Sequence, residues 1–205
     1  MLSPSAHIDT FTRDNLPPQS EWPDFLLGDF QYPEQLNAAV ELTDRMVERG
    51  FGDNIALIGN GRRRTYKELS DWTNRLAHAL VDDYGLKPGN RVLIRSANNP
   101  AMVACWLAAT KAGAVVVNTM PMLRSGELAK IVDKAEISLA LCDTRIKDEL
   151  VICAKARAGY RPHWTGPDRS CRQWWAAPRC CCLPFFRCWR CPATPASSSG
   201  YCPVQ

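Results

Sequence analysis

Long apolar segments are missing from this 205-residue sequence. Its longest uninterrupted apolar run covers residues 101–109, whereas a helix needs about 20 such residues to cross a bilayer. Residues 1–7 contain neither a basic stretch nor an apolar core, so we expect no secretory signal there. These absences predict a soluble cytoplasmic protein with no membrane partner.

Motifs that bind phosphate or perform acid–base catalysis are also missing. The sequence contains no Gly-x-x-x-x-Gly-Lys-Ser/Thr and no Gly-x-Gly-x-x-Gly, the glycine-rich loops that cradle phosphate groups. Histidine is scarce, with three residues, and we find no acidic or cysteine partner at catalytic spacing for His7 or His78. The sequence therefore indicates no catalytic, cofactor-binding or metal-binding residues.

Excess positive charge is confined to the end of the chain. Residues 161–205 carry six Arg, one Asp and no Lys, whereas residues 1–160 carry 19 basic and 20 acidic residues. The same 45 residues hold seven of the ten cysteines but only two Leu, Ile or Val residues. Because the preceding part has no surplus of positive charge, we expect no nucleic-acid partner.

The composition of this tail matches that of a GC-rich gene read out of frame, with Arg, Pro, Cys, Trp and Ser but no Lys, Ile, Asn or Glu. We therefore interpret it as the product of a frameshift near residues 155–162, irregular or disordered. The alternative is a binding or interaction module in which Cys188, Cys191 and neighbouring cysteines hold zinc, although a structural zinc site normally needs two spaced pairs. The stretch 197–200, Ser-Ser-Ser-Gly, lacks the lysine that a phosphate loop needs.

Residues 55–141 alternate between strand and helix patterns. Asn60-Gly61 predicts a hairpin turn, and Thr65 with Glu68 predicts a capping box at the start of a helix. Asn99-Pro100 predicts the start of a second helix, and Gly113 its left-handed end. The predicted strands are 55–58, 91–95, 114–117 and 138–141, and the β-branched residues of 114–117 are typical of a strand buried on both faces.

Three further segments carry weaker patterns. Residues 1–33 predict an extended arm, followed by a helix from about Glu34 to Glu48. Ser125 is placed to cap a helix that carries Leu128, Ile131 and Val132, and residues 143–158 predict another helix. Strands separated by helices of this length imply parallel crossovers, so the predicted fold class is α/β, with a parallel-rich sheet and flanking helices.

Several motifs resemble one enzyme family in order and spacing. Residues 65–69, Thr-Tyr-Lys-Glu-Leu, and residues 110–118, Thr-Lys-Ala-Gly-Ala-Val-Val-Val-Asn, resemble two core motifs of the adenylate-forming acyl-CoA synthetase (AMP-binding) superfamily. Residues 122–128 are similar to the segment that follows. The opening residues 7–18 and Trp22-Pro23 resemble aromatic acid–CoA ligases of the 2-aminobenzoate–CoA ligase type.

The resemblance implies a reaction in which ATP and magnesium convert a carboxylic acid into an acyl-adenylate, whose acyl group then passes to coenzyme A. It also implies a Ser/Thr/Gly-rich loop ending in Pro-Lys-Gly, an acyl pocket and a small catalytic domain, and the sequence contains none of these motifs. Arg145 and Lys147 follow a strand end where related enzymes can place basic residues near the CoA phosphate, but without the rest of that site we assign them no role.

These observations predict a truncated, inactive fragment of an acid–CoA ligase. Residues 1–50 are predicted to form an N-terminal arm and first helix, residues 51–158 an incomplete AMP-binding-type domain, and residues 159–205 a non-homologous tail. We expect no cofactor in the fragment, whereas intact members of the family use ATP, Mg and CoA. We expect no specific protein partner, although aggregation or self-association is possible because strand partners are missing.

Overall fold

A computed structural model describes residues 5–24, 28 and 30–156, together with the backbone of residues 186–190. The helices are α1 (Phe11–Asp14), α2 (Ala38–Leu42), α3 (Asp44–Met46), α4 (Tyr66–His78), α5 (Pro100–Lys111), α6 (Ser125–Lys134) and α7 (Asp148–Lys155). The strands are β1 (Ile55–Gly59), β2 (Arg62–Thr65), β3 (Arg91–Arg95), β4 (Val115–Thr119), β5 (Leu139–Asp143) and β6 (Phe186–Arg190). Short 3-10 turns occupy Gln19–Glu21 and Thr144–Ile146, and wider helical turns occupy Val47–Phe51 and Ala79–Asp83.

The main sheet has the strand order β4-β3-β5-β6. Strand β3 runs parallel to β4 and to β5, with Val92 paired to Val116 on one side and to Leu139 on the other. Strand β6 is antiparallel to β5. The predicted α/β class, with a parallel-rich sheet and flanking helices, is confirmed.

A separate hairpin precedes this sheet. Strands β1 and β2 are antiparallel, and Asn60 and Gly61 between them have φ angles of 52° and 71°, which a type I′ turn requires. Helix α4 follows directly, and the Thr65 side chain accepts from the Glu68 N–H while the Glu68 carboxylate accepts from the Thr65 N–H. The predicted hairpin and capping box are therefore confirmed.

The core lies on both faces of the parallel strands, because successive residues of a strand point to opposite sides. On one face Val92 and Ile94 pack with Cys105 and Ala108 of α5. On the other face Leu93 packs with residues from α6 and α7, namely Leu128, Val132, Leu150 and Cys153. Helix α5 therefore covers one face of the sheet, and α6 and α7 cover the other.

The ends of α5 match their predicted signals. Asn99 Oδ1 accepts from the Met102 N–H at 2.9 Å, and Pro100 occupies the first turn, where its missing N–H costs no hydrogen bond. Gly113, just past the helix, has a φ of 77°, a left-handed conformation that glycine adopts without steric cost. The chain then turns directly into β4.

Two expectations about helix starts need correction. The helix predicted from Glu34 starts instead at Ala38, because Asn37 Oδ1 accepts from the N–H groups of Ala39 and Val40. It is also broken at Thr43, whose φ and ψ of −126° and −75° are not helical. Ser125 does not cap α6 but is its first helical residue, and the Glu127 carboxylate accepts from the Arg124 N–H before it.

The prediction that the valine strand β4 is buried on both faces is wrong. Val115, Val116 and Val117 are half-buried and Asn118 is exposed, whereas every residue of β3 and β5 is buried. The reason is position, since β4 is at the edge of the sheet and β3 is between two strands. β-branched residues therefore identified a strand without identifying its place in the sheet.

The N-terminal arm is fixed to the start of β3. The N–H groups of Ile8 and Asp9 both donate to the Pro88 carbonyl, at 3.1 and 3.0 Å. The Asp9 carboxylate accepts from the Arg91 guanidinium and from Asn90 Nδ2. The Phe11 ring lies 4.4 Å from the Arg91 guanidinium carbon, so an aromatic side chain and a carboxylate together enclose this nearly buried cation.

Among the described residues, no helix is long and apolar enough to cross a membrane. Most of the predicted irregular tail lies outside the described residues. Within it, the structure places the backbone of residues 186–190 in β6, with Phe186 opposite Asp143 and Arg190 opposite Leu139. The domain boundaries at residues 50 and 158 stay predictions.

Candidate functional site

The carboxyl ends of the parallel strands meet at one edge of the sheet. We name this region the carboxyl edge, formed by residues 96–99, 120–124 and 144–147, which follow β3, β4 and β5. After β3 the chain passes to α5 on one face, and after β5 it passes to α7 on the opposite face. In open α/β sheets, ligands bind where neighbouring connections diverge in this way, so the carboxyl edge is the candidate functional site.

Arg95, the last residue of β3, holds two loops of this edge together. Its side chain lies on the same face as Leu93 and is 1% exposed. Nη1 donates to the Met120 carbonyl at 2.9 Å, and Nη2 donates to the carbonyls of Pro121 and Leu123 at 2.8 and 2.9 Å. Nε donates to the Ile146 carbonyl at 3.2 Å. Because these acceptors are backbone oxygens, the guanidinium group fixes the loops after β4 and β5 in one arrangement.

A second charged pair lies at the end of β5. The buried Asp143 carboxylate accepts from Nη2 of Arg145 at 2.6 Å and from Nε at 3.1 Å. It also accepts from the Arg145 N–H at 2.9 Å. These hydrogen bonds hold the pKa of Asp143 below its ordinary value, against the opposing effect of burial. Asp143 is therefore an ionised anchor for the turn, since a general base would need to exchange protons near neutral pH.

The loop after β4 is also connected to α7 through Glu149. Its carboxylate accepts from Nη1 of Arg124 at 3.0 Å and from the Ser125 N–H at 2.8 Å. The hydrogen bond from Arg124 is the main cause that lowers the pKa of Glu149. An anion at the first turn of α6 is also favoured by the helix dipole. This arrangement replaces the Ser125 cap that the sequence predicted.

Three arginine side chains of the carboxyl edge are already paired, whereas Lys147 lies half-buried in the turn after β5. Arg145 binds Asp143, Arg124 binds Glu149, and Arg95 donates to carbonyl groups. The described residues also contain no group of three or more His, Cys, Asp or Glu side chains that could hold a metal ion. The three arginines are therefore engaged within the chain, and their hydrogen bonds order the loops of the edge.

Residues considered individually in the sequence have ordinary structural roles. Arg62 and Arg63 are exposed on β2, and the Arg64 guanidinium carbon lies 4.4 Å from the Trp72 ring centroid. Cys105 and Cys142 are buried, as predicted, and burial raises the pKa of each thiol to about 12. Neither thiol is therefore a nucleophile at neutral pH.

The structure places one acidic side chain near His78. Nδ1 of His78 lies 3.7 Å from Oδ2 of Asp82, one helical turn later. Both side chains are mostly exposed, at 81% and 66%, so the pair lies on the surface and forms no catalytic site. The proposed zinc ligands Cys188 and Cys191 and the stretch 197–200 lie outside the residues whose side chains are described.

Sequence reasoning missed the buried charges that the fold depends on. Arg95, Asp143 and the Arg91–Asp9 pair looked like ordinary polar residues within or beside strands. The one available signal was position, since arginine inside a strand of apolar residues, as at both ends of β3, must find hydrogen-bond acceptors once the strand is buried.

Comparison with known proteins agrees with this architecture. The AMP-binding enzyme family matches residues 44–169. Salicylyl-CoA synthase / salicylate adenylyltransferase from Streptomyces sp is 34% identical over 98 residues, which cover 48% of this chain and 18% of that protein. The 3-hydroxybenzoate–CoA/4-hydroxybenzoate–CoA ligase of Thauera aromatica is 31% identical over 113 residues, 55% of this chain and 21% of the ligase. The chain thus spans about a fifth of the length of these relatives.

Solved structures show the same relationship. ATP-bound MatB from Rhodopseudomonas palustris superposes with a TM-score of 0.52 at 25% identity, over 58% of this chain and 23% of MatB. A benzoate CoA ligase from Burkholderia xenovorans LB400 superposes with a TM-score of 0.55 at 20% identity, over 60% of this chain and 24% of the ligase, which supports the fold alone. Because the family match covers more than half of the 205 residues, the chain belongs to the AMP-binding enzyme family, the adenylate-forming superfamily whose motifs the sequence resembles.

Proposed function

We propose that this chain corresponds to the first part of the large domain of an ATP-dependent aromatic acid–CoA ligase. In the parent reaction a carboxylate oxygen attacks the α-phosphorus of ATP and pyrophosphate leaves, and the thiol of CoA then attacks the acyl-adenylate and AMP leaves. The preference for an aromatic acid is supported by the names of the relatives, which include salicylate and hydroxybenzoate enzymes.

We further propose that the 205-residue chain does not catalyse this reaction by itself. The observation that carries this proposal is the state of the carboxyl edge, where Arg95, Arg124 and Arg145 are all engaged by the chain's own carbonyl and carboxylate groups. A site for ATP phosphates needs donors that are free before the ligand arrives. No lysine follows Lys155 in the sequence, so the tail supplies no lysine for a phosphate loop.

The role of the described residues in the parent enzyme is therefore positional. The parallel strands place three loops side by side, and Arg95 fixes two of them through hydrogen bonds to Met120 and Ile146. Such a rigid edge is the support on which a binding loop of the same enzyme can be held, because sites built on ordered elements keep their geometry.

Pyrophosphate release tests the proposal. The purified chain is mixed with ATP, magnesium and CoA and with benzoate, salicylate or anthranilate in turn, and a heat-denatured sample serves as the control. We expect no release above that control with any acid. Release that depends on one of the acids would contradict the inactivity, and it would identify the acid at the same time.

A further inference from the structure

Within the described residues, the four-stranded sheet ends in β6 on one side and in β4 on the other. Strand β5 is covered by β6 from the chain's own tail, in the register Leu139 to Arg190 through Asp143 to Phe186. Strand β4 ends the sheet at the other side and pairs only with β3. Among the described residues, β4 is therefore a strand edge that can pair with another polypeptide.

The peptide groups of β4 define what this edge can bind. The Val115 N–H donates to the Asn90 carbonyl at 2.9 Å, which directs the peptide groups of Val115, Val117 and Thr119 toward β3. Because peptide directions alternate along a strand, the N–H and C=O groups of Val116 and Asn118 point away from the sheet. The hydrogen bonds of the described residues include none to these outward groups.

The sequence around this edge favours a second copy of the same chain as the partner. Residues 112–123 contain no charged side chain, so pairing two copies of β4 brings no like charges together. Edge strands normally carry lysine, proline or a bulge that blocks such pairing, and none of these occurs within Val115–Thr119. Three consecutive half-buried valines add apolar surface that the pairing would cover.

We propose that two copies of the chain associate by antiparallel pairing of β4 with β4, around a two-fold axis that passes beside Val117. In this register Val116 of one copy lies opposite Asn118 of the other, and each pair exchanges both of its peptide hydrogen bonds. All outward groups of both strands are then paired. The two Val117 side chains face each other at the axis, on the sheet face that α6 and α7 cover.

The same geometry closes the assembly at two copies. A two-fold interface uses the same patch on both partners and leaves no free patch of that kind behind. Strand β6 forms the other edge of the sheet and takes no part in this interface, so association through β4 stops at two copies. The result is one continuous sheet across the dimer.

Molar mass in solution tests this proposal on the full chain. Light scattering and sedimentation over a wide concentration range should give twice the 22.9 kDa chain mass at high concentration, falling toward one chain on dilution. Masses that stay at one chain, or that rise without limit as concentration increases, would overturn it.

Substitutions at the exposed residue Asn118 identify the surface. Asn118→Lys places two lysines at diagonal positions about 8 Å apart across the axis, and their like charges lie close enough to repel at moderate salt. We expect the dissociation constant to rise at least about tenfold, with an unchanged far-ultraviolet circular dichroism spectrum. Asn118→Thr keeps the N–H group and adds no charge, so it should dimerise as the parent chain does. A dimer unaffected by Asn118→Lys would place the interface elsewhere and overturn the proposal.

Amide hydrogen exchange provides a test that needs no substitution. The amides of Val116 and Asn118 should exchange slowly at concentrations where the chain is dimeric and faster on dilution, while Leu93 in the central strand stays protected throughout. Exchange at Val116 and Asn118 that is independent of concentration would contradict the β4 interface even if a dimer forms.

Discussion

The ammonium nitrogen of Lys111 lies 2.8 Å from Oδ2 of Asp44 and joins the last turn of α5 to the first residue of α3. It also donates to Asn74 Oδ1 at 2.8 Å, and the Asp44 carboxylate accepts from the Ser70 hydroxyl. Burial raises the pKa of Asp44, but the hydrogen bonds from Lys111 and Ser70 outweigh it, so the pKa lies below its ordinary value. The network joins the N-terminal helices to the domain.

Replacement of Lys111 should show how much this network stabilises the fold. Lys111→Met leaves the partly buried Asp44 carboxylate without its cation, and we expect the free energy of unfolding to fall by about 2 kcal/mol. Asp44→Asn in the same background should cost less than it does alone, giving a coupling energy of about 1–2 kcal/mol. Urea denaturation of the parent chain, the two single variants and the double variant measures this coupling energy. Exposed Lys130→Met is the control, with a change within about 0.5 kcal/mol, and additive effects at positions 44 and 111 would contradict the pairing.

We expect Arg95 to contribute more than Lys111 to the free energy of unfolding. Arg95→Met removes the donors to four backbone carbonyls in two loops, and each buried carbonyl left unpaired costs about 1–3 kcal/mol. We expect a loss of more than about 3 kcal/mol, together with faster amide exchange in residues 120–123. Arg95→Lys keeps the charge with fewer donors, so its free energy of unfolding should lie between those of the parent chain and Arg95→Met.

Arg124→Met is the matched control for Arg95. Its side chain is 80% exposed, so its ion pair with Glu149 is worth about 0–1 kcal/mol. Equal losses for Arg95→Met and Arg124→Met would show that the carbonyl contacts of Arg95 contribute nothing beyond a surface ion pair.

Local signals in the sequence predicted local structure well. The capping box of Thr65 and Glu68, the Asn60-Gly61 turn and the left-handed Gly113 each depend on residues a few positions apart, and each is confirmed. The burial of β4 could not be predicted in this way, because it depends on which strands lie beside it, and the edge position follows from tertiary topology.

The carbonyl contacts of Arg95 were beyond sequence reasoning for the same reason. Its acceptors belong to residues 25 to 51 positions away, on the backbone of two loops, and a backbone carbonyl has no residue type to recognise. Side-chain partners far apart in sequence, such as Asp9 with Arg91, are equally invisible to patterns of spacing.

The attachment of the N-terminal arm to the start of β3 should depend on Asp9. Asp9→Asn removes the negative charge beside the Arg91 guanidinium, whose side chain is 6% exposed, and we expect a loss of about 1–2 kcal/mol. Trypsin should then cleave after Arg13 faster, as mass spectrometry of the released fragment would show. Asp14→Asn in the same arm is the control, because Asp14 is exposed and bonds only locally to Thr10. Unchanged cleavage in Asp9→Asn would refute the anchoring role.

Three aspartates predict a defined loss of stability in acid. The pKa values of Asp9, Asp44 and Asp143 are all lowered in the folded chain. Their contribution is therefore fully present above the unfolded pKa of about 3.9 and is lost as the pH falls through the lower folded values. Urea denaturation should give a steady free energy of unfolding near neutral pH and a decline below about pH 4.

Asp143→Asn should make this decline less steep, because its amide does not titrate. For Asp143 the hydrogen bonds from Arg145 are the main cause of the lowered pKa and burial opposes them. If the free energy of unfolding falls with the same slope below about pH 4 in Asp143→Asn and in the parent chain, Asp143 binds its proton equally in the folded and unfolded states. A stability that rises in acid would contradict the sign for all three groups.

Thiol chemistry tests the burial of the core directly. Burial raises the pKa of Cys105 and Cys142 to about 12, and the thiolate is the form that reacts with iodoacetamide. At about pH 8 only about one thiol in 10⁴ is then ionised, so peptide mapping should find both cysteines unlabelled in the folded chain and labelled in urea. Met120→Cys, at a position 66% exposed, is the positive control and should react at least about a hundredfold faster. Labelling of Cys105 or Cys142 at the rate of that control would mean that the two faces of the sheet are open to solvent, because no packed core admits the reagent.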